Sequence, residues 1–168
     1  MMSNIQIDSK IIEERTAKAV HLFKSGYNCA QSVVAAWADL YGVDTDMALR
    51  MSASFGGGIG RMRQTCGAAC GMFLLAGLDC GTTDGSDNAA KSHNYEVVQT
   101  LAAKFKDLNG SLICAELLGL NKQAPTQPQA EQRTAAYYKK RPCTEMVATA
   151  SRLFGEYLLA ELKGTVTC

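Results

Sequence analysis

Through most of this chain apolar side chains return every three or four residues, and the alternation of Val, Ile and Thr with polar residues that strands require is nearly absent. Such spacing gathers apolar groups on one face only if the backbone is helical. It therefore predicts an all-α protein, and the short connections predict a single-domain antiparallel bundle of about six to eight helices spanning residues 1–168. The 168 residues and 18.0 kDa suit one packed core.

Local signals place the helices. The first runs from Ser9, taken as its N-cap, to Ser25, where Gly26 stops it. A second begins with Cys29 in its first turn and continues through Val33, Val34, Trp37 and Leu40 to Gly42. A short helix from Asp44 or Thr45 to about Ser54 is broken by Gly56-Gly57-Gly58-Ile59-Gly60. Thr65 then reads as the N-cap of a helix through Ala68, Met72, Leu75 and Leu78, whose glycines at 67, 71 and 77 call for close packing against another helix. Cys80 to Asn88 reads as a surface loop, Ala89 to Leu108 as a long helix ended by Asn109-Gly110, and Cys114 to Leu118 as a short one. Gln123 to Gln129, with Pro125 and Pro128, is an extended internal linker, and the last helix runs from Cys143 to about Leu162.

Charge excludes some functions. A formal net charge of +1 gives no footprint for a polyanion, so no nucleic-acid partner is expected, and Lys139-Lys140-Arg141 reads as a solvated helix end. Met1 to Lys10 lacks the basic and apolar regions of a secretory signal, so the expected location is cytoplasmic. The longest apolar run, Cys66 to Leu78, falls short of the about 18 residues needed to span a bilayer and contains glycines, so it reads as a buried helix rather than a membrane insertion. Exposed apolar helix faces point to a homodimer, without marking which face.

The chemistry sits in seven cysteines. A reducing cytosol disfavours permanent disulfides, leaving metal binding, redox cycling or burial. Cys66 and Cys70 lie a helical turn apart, so one sulfur can act beside the other. There is no Cys-x-x-Cys, and hence no thioredoxin-type centre or c-type haem attachment. Cys66, Cys29 and Cys143 each fall at a helix start, where unpaired amides favour a thiolate, and Arg61 and Arg63 stand close to Cys66 in sequence. Cys70 also fits inert packing, while Cys80 and Cys168 read as bystanders.

These segments resemble a known family, the C_GCAxxG_C_C proteins, to which redox activity is ascribed. The resemblance covers most of the chain and is carried by Gly26-Tyr27-Asn28-Cys29-Ala30-Gln31-Ser32-Val33, by Phe55-Gly56-Gly57-Gly58-Ile59-Gly60-Arg61, by Cys66-Gly67-Ala68-Ala69-Cys70-Gly71, and by the later Cys114 and Cys143. It implies a small helical redox protein with no established substrate, and its four defining cysteines fall on Cys29, Cys66, Cys114 and Cys143. The pairing of Cys70 with Cys66 is not part of the family pattern and rests on spacing alone. A more distant similarity to part of the split-Soret cytochromes implies a sulfur-ligated metal, since the haem attachment motif is missing here. Four converging thiolates suit zinc or an iron–sulfur cluster.

Other motifs carry less. The glycine loop lacks a preceding strand and a following Gly-Lys-Ser/Thr, so nucleotide binding is disfavoured. Gly57, Gly58 and Arg61 are read instead as shaping the cysteine site or holding an anion there. His21 and His93 have no second histidine at metal spacing, the acidic residues look like solvated helix faces, and Trp37, Phe73, Tyr137 and Tyr138 read as core or interface.

Three readings stay open. The leading one is a thiol–disulfide oxidoreductase working with an unknown redox partner, with Cys66 as the reactive thiolate and Cys29, Cys114 or Cys143 as the resolving thiol. The second is an electron-transfer module holding iron–sulfur or zinc on Cys29, Cys66, Cys114 and Cys143. The third is a helical interaction protein with inert, buried cysteines.

Overall fold

The computed structural model describes residues 6–121 and 125–164. Among these the chain forms eight α-helices and no strand: α1 (Ser9–Lys24), α2 (Cys29–Trp37), α3 (Thr45–Ser52), α4 (Gly67–Cys80), α5 (Asn88–Asn109), α6 (Cys114–Leu117), α7 (Ala135–Lys140) and α8 (Cys143–Leu162). Short 3-10 turns at Ala38–Tyr41 and Ala53–Phe55 extend α2 and α3. The fold is all-α, as the periodicity requires.

Side-chain caps place most of the starts. Asp8, one residue before the expected Ser9, accepts the Ile11 amide, and Asp44, Asp87 and Thr134 do the same for α3, α5 and α7. The expected cap Thr65 does not start α4. It pairs with Ile113 in an isolated antiparallel bridge, and Cys66 becomes the cap residue. Cys80, expected in a loop, is the last residue of α4. Helix α7, capped by Thr134, ends at the Lys139-Lys140-Arg141 segment expected at a helix end; its start is not among the boundaries read from the sequence. Of the expected linker, Gln123 and its neighbour Ala124 lie outside the described residues; Pro125 to Gln129 is irregular.

Helices α2, α4 and α8 pack on one another, α1 covers α2 and α8, and α5 covers α4 and α8. At the centre Trp37 and Phe154 meet edge to face with ring centroids 5.5 Å apart, and Trp37 Nε1 donates to Ser151 Oγ at 2.8 Å. The glycines of α4 allow this closeness at two of three positions. A Cβ at Gly71 would stand 3.0 Å from the Ala30 carbonyl oxygen, and one at Gly67 2.7 Å from that of Phe55, whereas Gly77 faces open space. Beside the core, Asp79 accepts hydrogen bonds from Tyr41 (2.8 Å) and Tyr157 (2.7 Å), tying α4 to α8 and to the turn after α2. No described helix is long and apolar enough to cross a membrane.

Candidate functional site: a cavity of cysteines and arginines

The segment before α2 is built by its polar residues. Asn28 Oδ1 accepts the Gln31 amide at 3.0 Å and Gln31 Oε1 accepts the Asn28 amide at 3.1 Å, a reciprocal cap that sets Cys29 as the first helical residue. Asn28 Nδ2 also donates to the Ala53 carbonyl, and Gln31 Nε2 to that of Leu49, so the start of α2 is pinned to α3 and the turn that follows it. Gly56 must lack a side chain here, because a Cβ would reach within 2.5 Å of the Asn28 side chain.

The glycine loop then coils with positive φ at Gly57, Gly58, Ile59, Gly60, Arg61 and Arg63. For the three non-glycine residues this left-handed backbone is strained by about 1–3 kcal/mol each. A ladder of amide-to-carbonyl bonds holds it: Ile59 to Phe55, Arg61 to Gly56, Arg63 to Gly57 and Gln64 to Gly58. Its effect is to bring Arg61 and Arg63 onto the same cavity.

Two short extended stretches join Cys66 to Cys114. The Cys66 amide donates to Leu112 O and the Cys114 amide to Gln64 O, both at 2.7 Å, flanking the Thr65–Ile113 bridge. Gly58 lets the loop close on this pair, since a Cβ there would stand 2.5 Å from the Cys114 Cβ. Gly67, next to Cys66, sets α4 so that its own Cβ would lie 3.4 Å from that of Cys29. Pro142 then precedes Cys143, the first residue of α8.

The result is a cavity of about 270 Å³ lined by Cys29, Cys66, Cys114 and Cys143 together with Gly57, Gly58, Arg61, Arg63, Arg133 and Arg141. Three of these cysteines begin helices and Cys66 caps one. Cys70 does not line the cavity; its thiol points to the Thr65 carbonyl at 3.8 Å, and burial pushes it up to about 11. Cys80 donates to Ala76 O at the far end of α4, and Cys168 lies outside the described residues.

Electrostatics separates the four. Cys143 is lowered to about 7, first because the Cys29 thiol donates to its sulfur, and further, against the penalty of burial, by Arg141, Arg133 and Arg63. The same hydrogen bond, with burial, pushes Cys29 well up. Cys66, only 5 % exposed, is pushed up to about 12 because burial outweighs the amides of Ala68 and Ala69. Cys114 is raised by burial although Arg63 Nη1 approaches its sulfur at 3.8 Å. Helix-start amides therefore do favour a thiolate at Cys66, as expected, but desolvation overrides them; Cys143 is half-buried and ringed by guanidinium groups.

Three contributors, Glu131, Arg133 and Arg141, are not among the candidates that the sequence alone suggests. Lys139 and Lys140 are exposed, but Arg141, expected with them at a solvated helix end, turns its guanidinium over the Tyr137 ring (4.8 Å) and onto Glu131 (2.5 Å). Glu131 also meets Arg61 at 3.4 Å and Arg63 at 3.8 Å, and although desolvation opposes it, Arg141 and Arg61 hold its carboxyl below the usual range. Tyr137 packs against the core, as expected, and is also a wall of the cavity. The signal present in the sequence is the recurrence of arginine at 133 and 141 around an aromatic pair, which charge counting alone cannot place.

Among the described residues no three Cys, His, Asp or Glu side chains are grouped to hold a metal ion. The four sulfurs share a cavity without forming a ligand shell, so the donor set as arranged does not fit zinc or an iron–sulfur cluster.

Fold and site together define a small all-α protein with a cavity of free thiols. The family model described as "Putative redox-active protein (C_GCAxxG_C_C)" matches residues 27–157, and the chain belongs to that family. No curated protein and no solved structure matches it.

Proposed function

We propose that the chain is a thiol–disulfide oxidoreductase in which Cys143, rather than Cys66, is the attacking thiolate and Cys29 the resolving thiol. The observation that carries this is the Cys29–Cys143 contact, which lowers Cys143 to about 7 while keeping its neighbour protonated. A thiol titrating near ambient pH combines a large thiolate fraction with retained nucleophilicity.

The Cys143 thiolate attacks one sulfur of a disulfide R–S–S–R′, forming Cys143–S–S–R and expelling R′S⁻, which takes the proton given up by Cys29. The Cys29 sulfur then attacks the Cys143 sulfur and expels RS⁻, leaving a Cys29–Cys143 disulfide. The substrate is reduced by two electrons and the protein oxidised by two; a dithiol reductant resets it by the same exchange. Cys66 and Cys114, on the same cavity, are slower resolving thiols. All six described cysteines are free, which suits the reducing cytosol as the working compartment.

The test is the loss of free thiols on mild oxidation with diamide, with the bridge located by peptide mass spectrometry. Wild type is expected to lose two thiols as a Cys29–Cys143 bridge, Cys66→Ser to behave likewise, and Cys143→Ser to lose none at that rate. Loss of the response in Cys66→Ser but not in Cys143→Ser would return the nucleophile to Cys66. A thiol count unchanged in every protein would support inert cysteines.

A further inference from the structure

The cavity holds more positive charge than its own groups neutralise. Four arginines line it, and Glu131 is the only acidic residue among its described lining. Glu131 engages Arg61, Arg63 and Arg141, whereas Arg133 Nη1 is buried with no hydrogen-bond partner. A buried guanidinium donor without an acceptor is costly to keep. The group is also held in place: its carbon sits 4.9 Å from the Phe23 ring centroid and 4.6 Å from that of Tyr137. It is close enough to Cys143 to help lower it. A guanidinium held in place beside a nucleophilic sulfur, with its buried Nη1 lacking an acceptor, fits an oxyanion next to the atom being attacked.

We propose that the cavity selects small acidic disulfides, compounds carrying a carboxylate a few bonds from the sulfur, with Arg133 receiving the carboxylate while Cys143 attacks the sulfur beside it. The substrate class rests on the thiol-exchange function above for its reaction and on Arg133 for its recognition. The bonds made and broken are those of that exchange: the acidic disulfide leaves as two thiols and the Cys29–Cys143 dithiol becomes a disulfide. A volume of about 270 Å³ lies just below the about 300 Å³ at which ordinary ligand pockets begin, and so suits only a low-molecular-weight compound.

Alkylation tests recognition without requiring disulfide exchange. Iodoacetate and iodoacetamide both form a sulfur–carbon bond and release iodide, and differ in one negative charge. The ratio of their rates at Cys143, read by peptide mass spectrometry, is expected to exceed that of the urea-unfolded chain by about tenfold or more, the worth of a hydrogen bond to a charged group. Arg133→Gln is expected to return the ratio to the unfolded value, with Arg133→Lys in between. Should Arg133→Gln fail to fold, wild type decides: propionate is expected to slow iodoacetamide at Cys143, and propionamide to leave it unchanged. A folded-chain ratio equal to the unfolded one, a ratio untouched by Arg133→Gln, or no protection by propionate overturns the proposal. Failure of thiol exchange appears instead in the diamide experiment, which carries no anionic probe.

Discussion

At the scale of single residues, Cys143 and Cys66 differ in what surrounds the sulfur. Cys143 meets a donated S–H and three guanidinium groups; Cys66 meets the amides of Ala69 and Ala68, but so deeply buried that desolvation outweighs them. Thiolate alone is alkylated, so the iodoacetamide rate at Cys143 is expected to rise with pH through a midpoint near 7. One unit below that midpoint about a tenth of the group is ionised and one unit above about nine-tenths. Cys29→Ala removes the largest favourable contribution and is expected to move the midpoint upward, and Arg141→Gln to move it upward by less. An unmoved midpoint in Cys29→Ala would show that the hydrogen bond is not the cause. The same profile at Cys66 is expected to remain low until well above pH 10, since its thiol stands at about 12.

At the scale of elements, α4 turns on which glycines are crowded. Gly77 lies in the helix with nothing within 4 Å of where an alanine methyl would stand, so Gly77→Ala is expected to stabilise the protein by about 0.5–1 kcal/mol through helix propensity alone. Gly67→Ala places a methyl 2.7 Å from a backbone oxygen that cannot move aside cheaply, and is expected to destabilise by about 1–3 kcal/mol and to disturb Cys29. Urea midpoints at unchanged m-value distinguish the two directions. The glycines at 67, 71 and 77 are equally visible in the sequence, and helix propensity marks all three alike as packing positions. Which of them touches a neighbour depends on where α2 and the turn before Gly56 come to rest. Likewise Asp8, Asp44 and Asp87 act within a few residues of themselves and suffice to start their helices, whereas α4 begins at Cys66 because residues 63–66 are held by residues 112–115.

At the scale of the whole molecule, the Trp37–Ser151 hydrogen bond joins α2 to α8 inside the core that sets Cys29 opposite Cys143. Ser151→Ala leaves a buried indole N–H without its acceptor and is expected to lower stability by about 1–3 kcal/mol, measured by chemical denaturation. Helix content and the starts at Cys29, Cys114 and Cys143 were legible because apolar spacing, caps and glycine breaks are local properties of the chain. The proposed choice of Cys143 over Cys66, and the Arg133 guanidinium beside it, rest on tertiary structure alone. Burial and charge act through space: they depend on Arg133 and Arg141 folding back over Tyr137 and on the closure of residues 56–66 against Cys114, distances that no local pattern of residues encodes.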